Sequence, residues 1–215
     1  MKALVAGGSG LVGGHLVDLL LNDARYEQVI VVGRTPLNRQ HPKLENRQVD
    51  FLKLEETDLQ ADHFFCCLGT TIRKAGSQEK FKQVDHDFPL ALAKKAQAVH
   101  AAAFLIVTAL GADRNSGIFY NRIKGEVEVD IAALQIPSLH IFQPSMLLGD
   151  RKEERTGESA GKFAMKLLDF LIPLKYKAIE SRKVARAMQA AAWSGDQGVL
   201  SHSSGEMQGF NEDPS

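Results

Sequence analysis

Tyr120 and Lys124 stand four residues apart in Tyr-Asn-Arg-Ile-Lys, and on a helix that spacing puts a phenol and an ammonium on one side. A lone phenol is a poor acid or base, with a reference pKa of about 10. A neighbouring cation favours its ionised form and brings proton exchange with a carbonyl or an alcohol toward working pH. The same spacing occurs on any amphipathic helix, so the pair takes its meaning from its surroundings. Gly7 to Gly14 reads Gly-Gly-Ser-Gly-Leu-Val-Gly-Gly and satisfies two patterns at once: Gly8, Gly10 and Gly13 as G-x-G-x-x-G, and Gly7, Gly10 and Gly13 as G-x-x-G-x-x-G. Both place bare backbone where a pyrophosphate must come close, above free N–H groups and a favourable helix dipole. Thr108, at the end of an apolar run, offers a hydroxyl, and as a β-branched residue it equally suits a strand.

The elements that must position these groups are legible from periodicity. Ala3 to Ala6 is apolar and directly precedes the glycines, while Leu16, Leu19 and Leu20 follow at helical spacing. The motif therefore reads strand, tight turn, helix, which is the context a dinucleotide fingerprint needs. Gln28 to Gly33 is apolar on both faces, as in a parallel sheet covered on both sides. Further strands are expected near Gln48 to Phe51, over His63 to Leu68, over Phe104 to Thr108 and over Leu139 to Gln143. The spacing of Phe81, Val84, Phe88, Leu92 and Ala96 predicts a helix that Pro89 kinks or restarts, and Tyr120 to Leu134 a helix ended by Ile136-Pro137. Strands alternating with helices predict an α/β fold, a doubly wound parallel sheet of Rossmann type, with ligands gathered at the carboxyl ends of the strands. From Ser145 the pattern loosens. Residues 145–195 read as a small C-terminal substrate cap with helices around Phe163 to Leu171 and Arg182 to Trp193, a short strand near Val199 follows, and residues 1–215 read as one domain.

Lys plus Arg and Asp plus Glu both number 26, so net charge gives no reason to expect a nucleic-acid or anionic-membrane partner. No apolar run approaches the ~20 residues that cross a bilayer, and the N-terminus reads as a strand rather than a signal peptide, which sets the expectation of a cytoplasmic protein. Cys66 and Cys67 are adjacent, without C-x-x-C spacing or a nearby histidine pair, so buried thiols are expected rather than a metal site. Arg34 follows the second strand, where an acid would bind a ribose 2′-hydroxyl. A guanidinium there suits a 2′-phosphate, with Ser9 as helper, and the expected cofactor is NADP(H) in preference to NAD(H). Ile123, Val127, Ile131 and Leu134 form an apolar stripe on the Tyr120 helix that serves either the sheet or a homodimer.

With a glycine turn after the first strand and Tyr-x-x-x-Lys on the helix after the fifth, the chain resembles the short-chain dehydrogenase/reductase superfamily, most specifically its extended and atypical branch. Gly7 to Gly13 matches that branch's nucleotide loop and Cys67-Leu68-Gly69-Thr70 its post-strand cofactor loop. Gln143-Pro144-Ser145-Met146-Leu147-Leu148-Gly149 matches its turn beside the nicotinamide, with Gln143 for the usual arginine and Ser145 for the usual glycine. The resemblance implies that Tyr120 is the catalytic acid/base and that Lys124 holds the nicotinamide ribose and lowers the tyrosine pKa. It makes Thr108 the equivalent of the serine that binds the reacting oxygen, and Asp50 the adenine-contacting acid, although an aspartate there could equally cap a turn. Cofactor contacts then fall on Gly7, Ser9, Gly10, Leu11, Val12, Gly13, Arg34, Asp50, Leu68, Gly69, Thr70, Lys124, Pro144 and Ser145. The phrases CCLGTT, FYNRIKGEVE and SRKVARAM are similar to the Tat-interacting-protein subgroup, whose members bind NADPH. The expected function is an NADP(H)-dependent oxidoreductase acting on a small carbonyl or alcohol. Two other readings use the same residues: a non-catalytic NADP(H)-binding sensor or assembly protein, and, ranked last, a sugar-nucleotide epimerase or dehydratase.

Overall fold

In the computed structural model, which describes residues 1–149 and 173–210, the apolar runs pair into a seven-stranded parallel sheet. β1 (Lys2–Ala6) leads through α1 (Leu11–Asn22) to β2 (Gln28–Gly33) and β3 (Leu44–Gln48), and a 3-10 turn (Phe51–Glu56) leads to β4 (His63–Cys66). Next come α2 (Ile72–Ala75), α3 (Gln78–Lys82), a π turn (Gln83–Asp87), α4 (Phe88–Ala98), β5 (Ala103–Val107), α5 (Phe119–Ala132) and β6 (Ser138–Gln143). Beyond it lie a short strand pair, β7 (Leu147–Leu148) with β8 (Ile179–Glu180), then α6 (Ser181–Ala191), β9 (Gly198–Ser203) and α7 (Ser204–Met207). The strands lie in the order β3-β2-β1-β4-β5-β6-β9, so the winding reverses between β1 and β4. Ala6 pairs with Val32 on one side and Cys66 on the other, and the loops leaving Ala6 and Cys66 lie at this switch point, where open α/β sheets bind ligands.

Strand alternation divides the core into two layers. Ala3 and Val5 face Leu16, Val17 and Leu20 of α1 with Val184 and Met188 of α6. Leu4 and Ala6 face Leu92 and Ala96 of α4 with Val127 and Ile131 of α5. Each large apolar side chain removed from water in this way contributes about 1.5–3 kcal/mol.

Several expectations change in detail. β3 ends at Gln48, where a strand was expected to begin, because Asp50 accepts the Leu52 N–H at 3.0 Å and opens the 3-10 turn. Pro89 does restart its helix. Lacking an N–H, it cannot serve the Asp85 carbonyl four residues earlier, and a π turn in which the Phe88 N–H bonds to the Gln83 carbonyl precedes α4. α6 is a covering helix packed on α1 rather than part of a cap, since its Val184, Ala185 and Met188 sit in the sheet core. The expected helix around Phe163 to Leu171 lies outside the described residues. The strand near Val199 is β9, a seventh parallel strand beside β6. Ile123, Val127 and Ile131 are buried, the last two in the sheet core with Leu134 packed against it, so the stripe serves the sheet. Cys66 is buried and Cys67 partly buried, both free; burial pushes the Cys66 thiol up to about 12 and keeps it neutral. Among the described residues no helix is long and apolar enough to cross a membrane.

Candidate functional site

The glycine turn is built for close approach. Gly7 leaves β1 at φ +85°, and a Cβ on it would stand 2.5 Å from the Cys67 carbonyl oxygen. The Gly10 N–H donates to the Gly7 carbonyl at 2.9 Å, and a Cβ on Gly13 would lie 2.2 Å from that same oxygen. Turn, first helical turn and post-β4 loop therefore touch through bare backbone. Gly10 caps α1 without a side-chain hydrogen bond, the first turn carries no acid, and Ser9 and Gly10 are exposed. These are the conditions under which a helix N-terminus accepts a phosphate, so the residues present fit a dinucleotide. Leu11 and Val12 belong to that first turn, with the Val12 side chain in the core, which leaves their backbone N–H groups to face a ligand.

Arg34 is exposed just past β2 and has no hydrogen-bond or ion-pair partner among the described residues. Its neighbour Arg39 is held by Asp18 at 2.7 Å, and Asn46 accepts the Leu37 N–H at 3.1 Å, so the loop is pinned while the Arg34 guanidinium stays available. Asp50, exposed, caps the 3-10 turn.

At the carboxyl ends of β4 and β5 the centre is Lys124, which is only 4% exposed although it carries a charge. Its Nζ lies 2.7 Å from Oδ1 of Asp85, itself 1% exposed, on the π turn. Charge attraction and a side-chain hydrogen bond both join the two groups. Oδ2 of Asp85 accepts the Thr70 N–H at 2.9 Å, and a Cβ on Gly69 would sit 3.4 Å from Asp85 Oδ1 and 3.8 Å from Lys124 Nζ. Burial pulls the Lys124 pKa down, but Asp85 and the nearby Tyr120 phenol outweigh it, and the ammonium is held above its ordinary value. Tyr120, one turn earlier in α5, is partly buried with its ring 5.5 Å from that of Phe81. Gly125 lets α5 lie directly on the loop after β5: a Cβ there would stand 2.1 Å from the Arg114 N.

Lys124, Gly69 and Thr70 are thus brought together, with Leu68 packed partly into the core behind them. Thr108 directly follows β5. Alternation turns its side chain toward α5, where its hydroxyl donates to Glu128 at 2.5 Å and lies 3.3 Å from the Phe142 carbonyl. The Gln143 amide donates to both oxygens of the same carboxylate at 3.0 Å. Burial raises the Glu128 pKa, and the Thr108 and Gln143 bonds oppose it. Glu128 lies eight residues, about 12 Å of helix, beyond Tyr120. The single hydroxyl proton of Thr108 is engaged there. Ser145 is engaged too: its hydroxyl donates to the Lys177 carbonyl and accepts from Ser204 at 3.0 Å, joining the post-β6 loop to α7. Pro144 accepts the Leu110 N–H at 2.8 Å and closes the post-β5 loop against it. Sequence reasoning missed Asp85 and Glu128. Tyr120, Lys124 and Glu128 recur every fourth residue, a signal that could have found the second; the disturbance at Pro89 marked the neighbourhood of the first.

Residues 3–128 match the NAD dependent epimerase/dehydratase family. Protein HTATIP2 of Rattus norvegicus is 36% identical over 163 residues, spanning 73% of this chain and 67% of that protein. Protein FMP52, mitochondrial, of Debaryomyces hansenii is 33% identical over 159 residues, 72% of this chain and 70% of that protein. The fold matches MoeE5, solved with UDP-glucose and NAD, at a TM-score of 0.70 and 15% identity, covering 94% of this chain and 75% of that one. It also matches a UDP-glucose 4-epimerase from Thermotoga maritima at 0.69 and 16%, covering 100% and 84%. The cytoplasmic expectation is corrected by these relatives, because FMP52 proteins of several yeasts are named mitochondrial. That expectation rested on a missing apolar segment, and amphipathic targeting segments do not need one. The resemblance to the extended short-chain dehydrogenases/reductases and the Tat-interacting-protein subgroup is borne out: with its Rossmann-type sheet and the glycine turn after the first strand, the chain belongs to the NAD dependent epimerase/dehydratase family.

Proposed function

We propose that the chain is an NADP(H)-dependent oxidoreductase acting on a small carbonyl or alcohol. The glycine turn of Gly7, Gly10 and Gly13 would hold the pyrophosphate, Arg34 with Ser9 the 2′-phosphate, and Lys124 the nicotinamide ribose. The nicotinamide, when bound, supplies or takes the hydride. Tyr120 then gives a proton to, or takes one from, the reacting oxygen, with Lys124 one helical turn away on the same helix. The observation that carries this reading is the buried Lys124 ammonium, fixed against Gly69 of the post-β4 loop and one helical turn from Tyr120. The test is NADPH oxidation by the purified chain against a panel of small aldehydes, ketones and quinones, with binding measured in parallel. Cofactor-dependent turnover of at least one member supports the proposal.

A second reading is favoured by Thr108 and Ser145, whose hydroxyls are committed to Glu128 and the Lys177 carbonyl. With these two hydroxyls committed, the same groove would serve an NADP(H)-binding sensor or assembly protein. NADPH binding with no turnover across the panel would select it. The third reading, a sugar-nucleotide epimerase or dehydratase, has support only in the family description and in the fold of solved epimerases.

A further inference from the structure

We propose that Asp85 is a positioning residue for Lys124: from the π turn it keeps the buried ammonium charged and ties it to the loop Gly69–Thr70 along the cofactor groove. The proposal deepens the reading of this site and rests on it. An isolated ammonium taken from water tends to lose its proton, because burial penalises the charged form. Lys124 is 4% exposed and has one carboxylate at 2.7 Å to oppose that tendency. Asp85 is equally dependent, at 1% exposed with its second oxygen used by the Thr70 N–H at 2.9 Å. One carboxylate therefore does two things: it supplies charge to α5 through Oδ1 and order to the post-β4 loop through Oδ2.

The backbone accounts for its position. Pro89 offers no N–H to the Asp85 carbonyl, and the wide turn over Gln83–Asp87 that results buries Asp85 and His86 together. His86 is itself occupied, with Nδ1 2.8 Å from Asp87 and Nε2 2.9 Å from Asp130 of α5. The other ionisable groups facing Lys124 do not replace Asp85. Cys66 of β4 is neutral, Tyr120 is the group to be acted on, and Glu128 of α5 is committed to Thr108 and Gln143.

Asp85→Asn separates the two tasks, since an amide oxygen still accepts the Thr70 N–H while the charge is gone. The direct readout is titration of the Lys124 ammonium by NMR of labelled lysine in the cofactor-free chain, with Lys124→Met assigning the signal. The expected result is a midpoint in Asp85→Asn at least one pH unit, a tenfold change in proton affinity, below that of the unsubstituted chain, with Asp85→Glu restoring it. In turnover, the alkaline limb of kcat/KM should move down by the same interval. An unchanged Lys124 midpoint in folded Asp85→Asn overturns the proposal. If Asp85→Asn does not fold, Asp85→Asn/Lys124→Met decides. Recovery of a cooperative transition by the double variant supports a coupled pair, and failure to recover overturns it. A chain that oxidises no NADPH defeats the oxidoreductase reading, while the Lys124 titration still judges the role of Asp85.

Discussion

Gly13 and Gly14 are adjacent in α1 and differ sharply in what surrounds them, which makes Gly13→Ala and Gly14→Ala a matched test of the turn. Alanine in a helix interior is favoured over glycine by about 1 kcal/mol, and both variants receive that gain. A Cβ on Gly14 meets only the Gly8 carbonyl at 3.7 Å, an ordinary contact. A Cβ on Gly13 meets the Gly7 carbonyl oxygen at 2.2 Å, its carbon at 2.8 Å and the Gly8 Cα at 3.0 Å. All three are backbone atoms, so no rotamer change relieves the overlap and α1 must move off the turn. Overpacking of this kind costs about 1–3 kcal/mol, and movement of the turn spoils the alignment of first-turn N–H groups with a phosphate. Gly14→Ala should raise Tm by about 2–4 °C in differential scanning calorimetry, whereas Gly13→Ala should lower it. By isothermal titration, NADPH affinity should stay within about twofold in Gly14→Ala and fall by about tenfold or more in Gly13→Ala. Equal stability of the two variants, or undiminished NADPH binding by Gly13→Ala, would refute the account of the turn.

Arg34→Ala should remove most of the preference for NADPH over NADH, by about ten- to hundredfold in Kd ratio, because a charge-assisted phosphate bond is lost; an unchanged ratio in calorimetry counts against the 2′-phosphate assignment. Thr108→Val should cost about 1–3 kcal/mol in urea unfolding by depriving the Glu128 carboxylate of a donor, while Thr108→Ser is nearly neutral. Turnover should change less than tenfold in either, and a larger loss would restore Thr108 to the reacting centre. His140 is fully buried between Ser138 and His202, and desolvation, then His202, lowers its pKa to about 4. The unfolded chain binds that proton near pH 6.5 and the native chain only near pH 4, so stability should fall as pH drops across this window, by up to about 3 kcal/mol. His63 and His202, also lowered, act in the same direction, and His140→Gln should flatten part of the loss seen in pH-dependent chemical unfolding.

The parts of the site that were legible in the sequence are those whose physics is local. A strand, a glycine turn and an amphipathic helix are contiguous, and only glycine satisfies the contacts of Gly7 and Gly13, so that motif carried its own geometry. Arg34 was legible because the end of β2 is set by an apolar run and a glycine. Asp85 was not, since its partner Lys124 lies on another helix and only the packing of the π turn on α5 brings the two together. Thr108 shows the converse. Its place after β5 suggested a catalytic hydroxyl, but strand alternation faces it to α5, where it donates a hydrogen bond to Glu128. Residues 181–191 were expected in a cap because the strand pattern loosens there. Their apolar side chains instead answer those of α1, a pairing visible only once the sheet has formed.

The central claim is that Tyr120 exchanges the proton while other residues hold the cofactor, and Tyr120→Phe tests it most directly. The substitution keeps the ring that packs on Phe81 and leaves the glycine turn, Arg34 and Lys124 untouched. NADPH affinity by calorimetry should match that of the unsubstituted chain, while NADPH oxidation with the best carbonyl of the panel should fall by about a hundredfold or more. Full turnover in Tyr120→Phe would contradict the account.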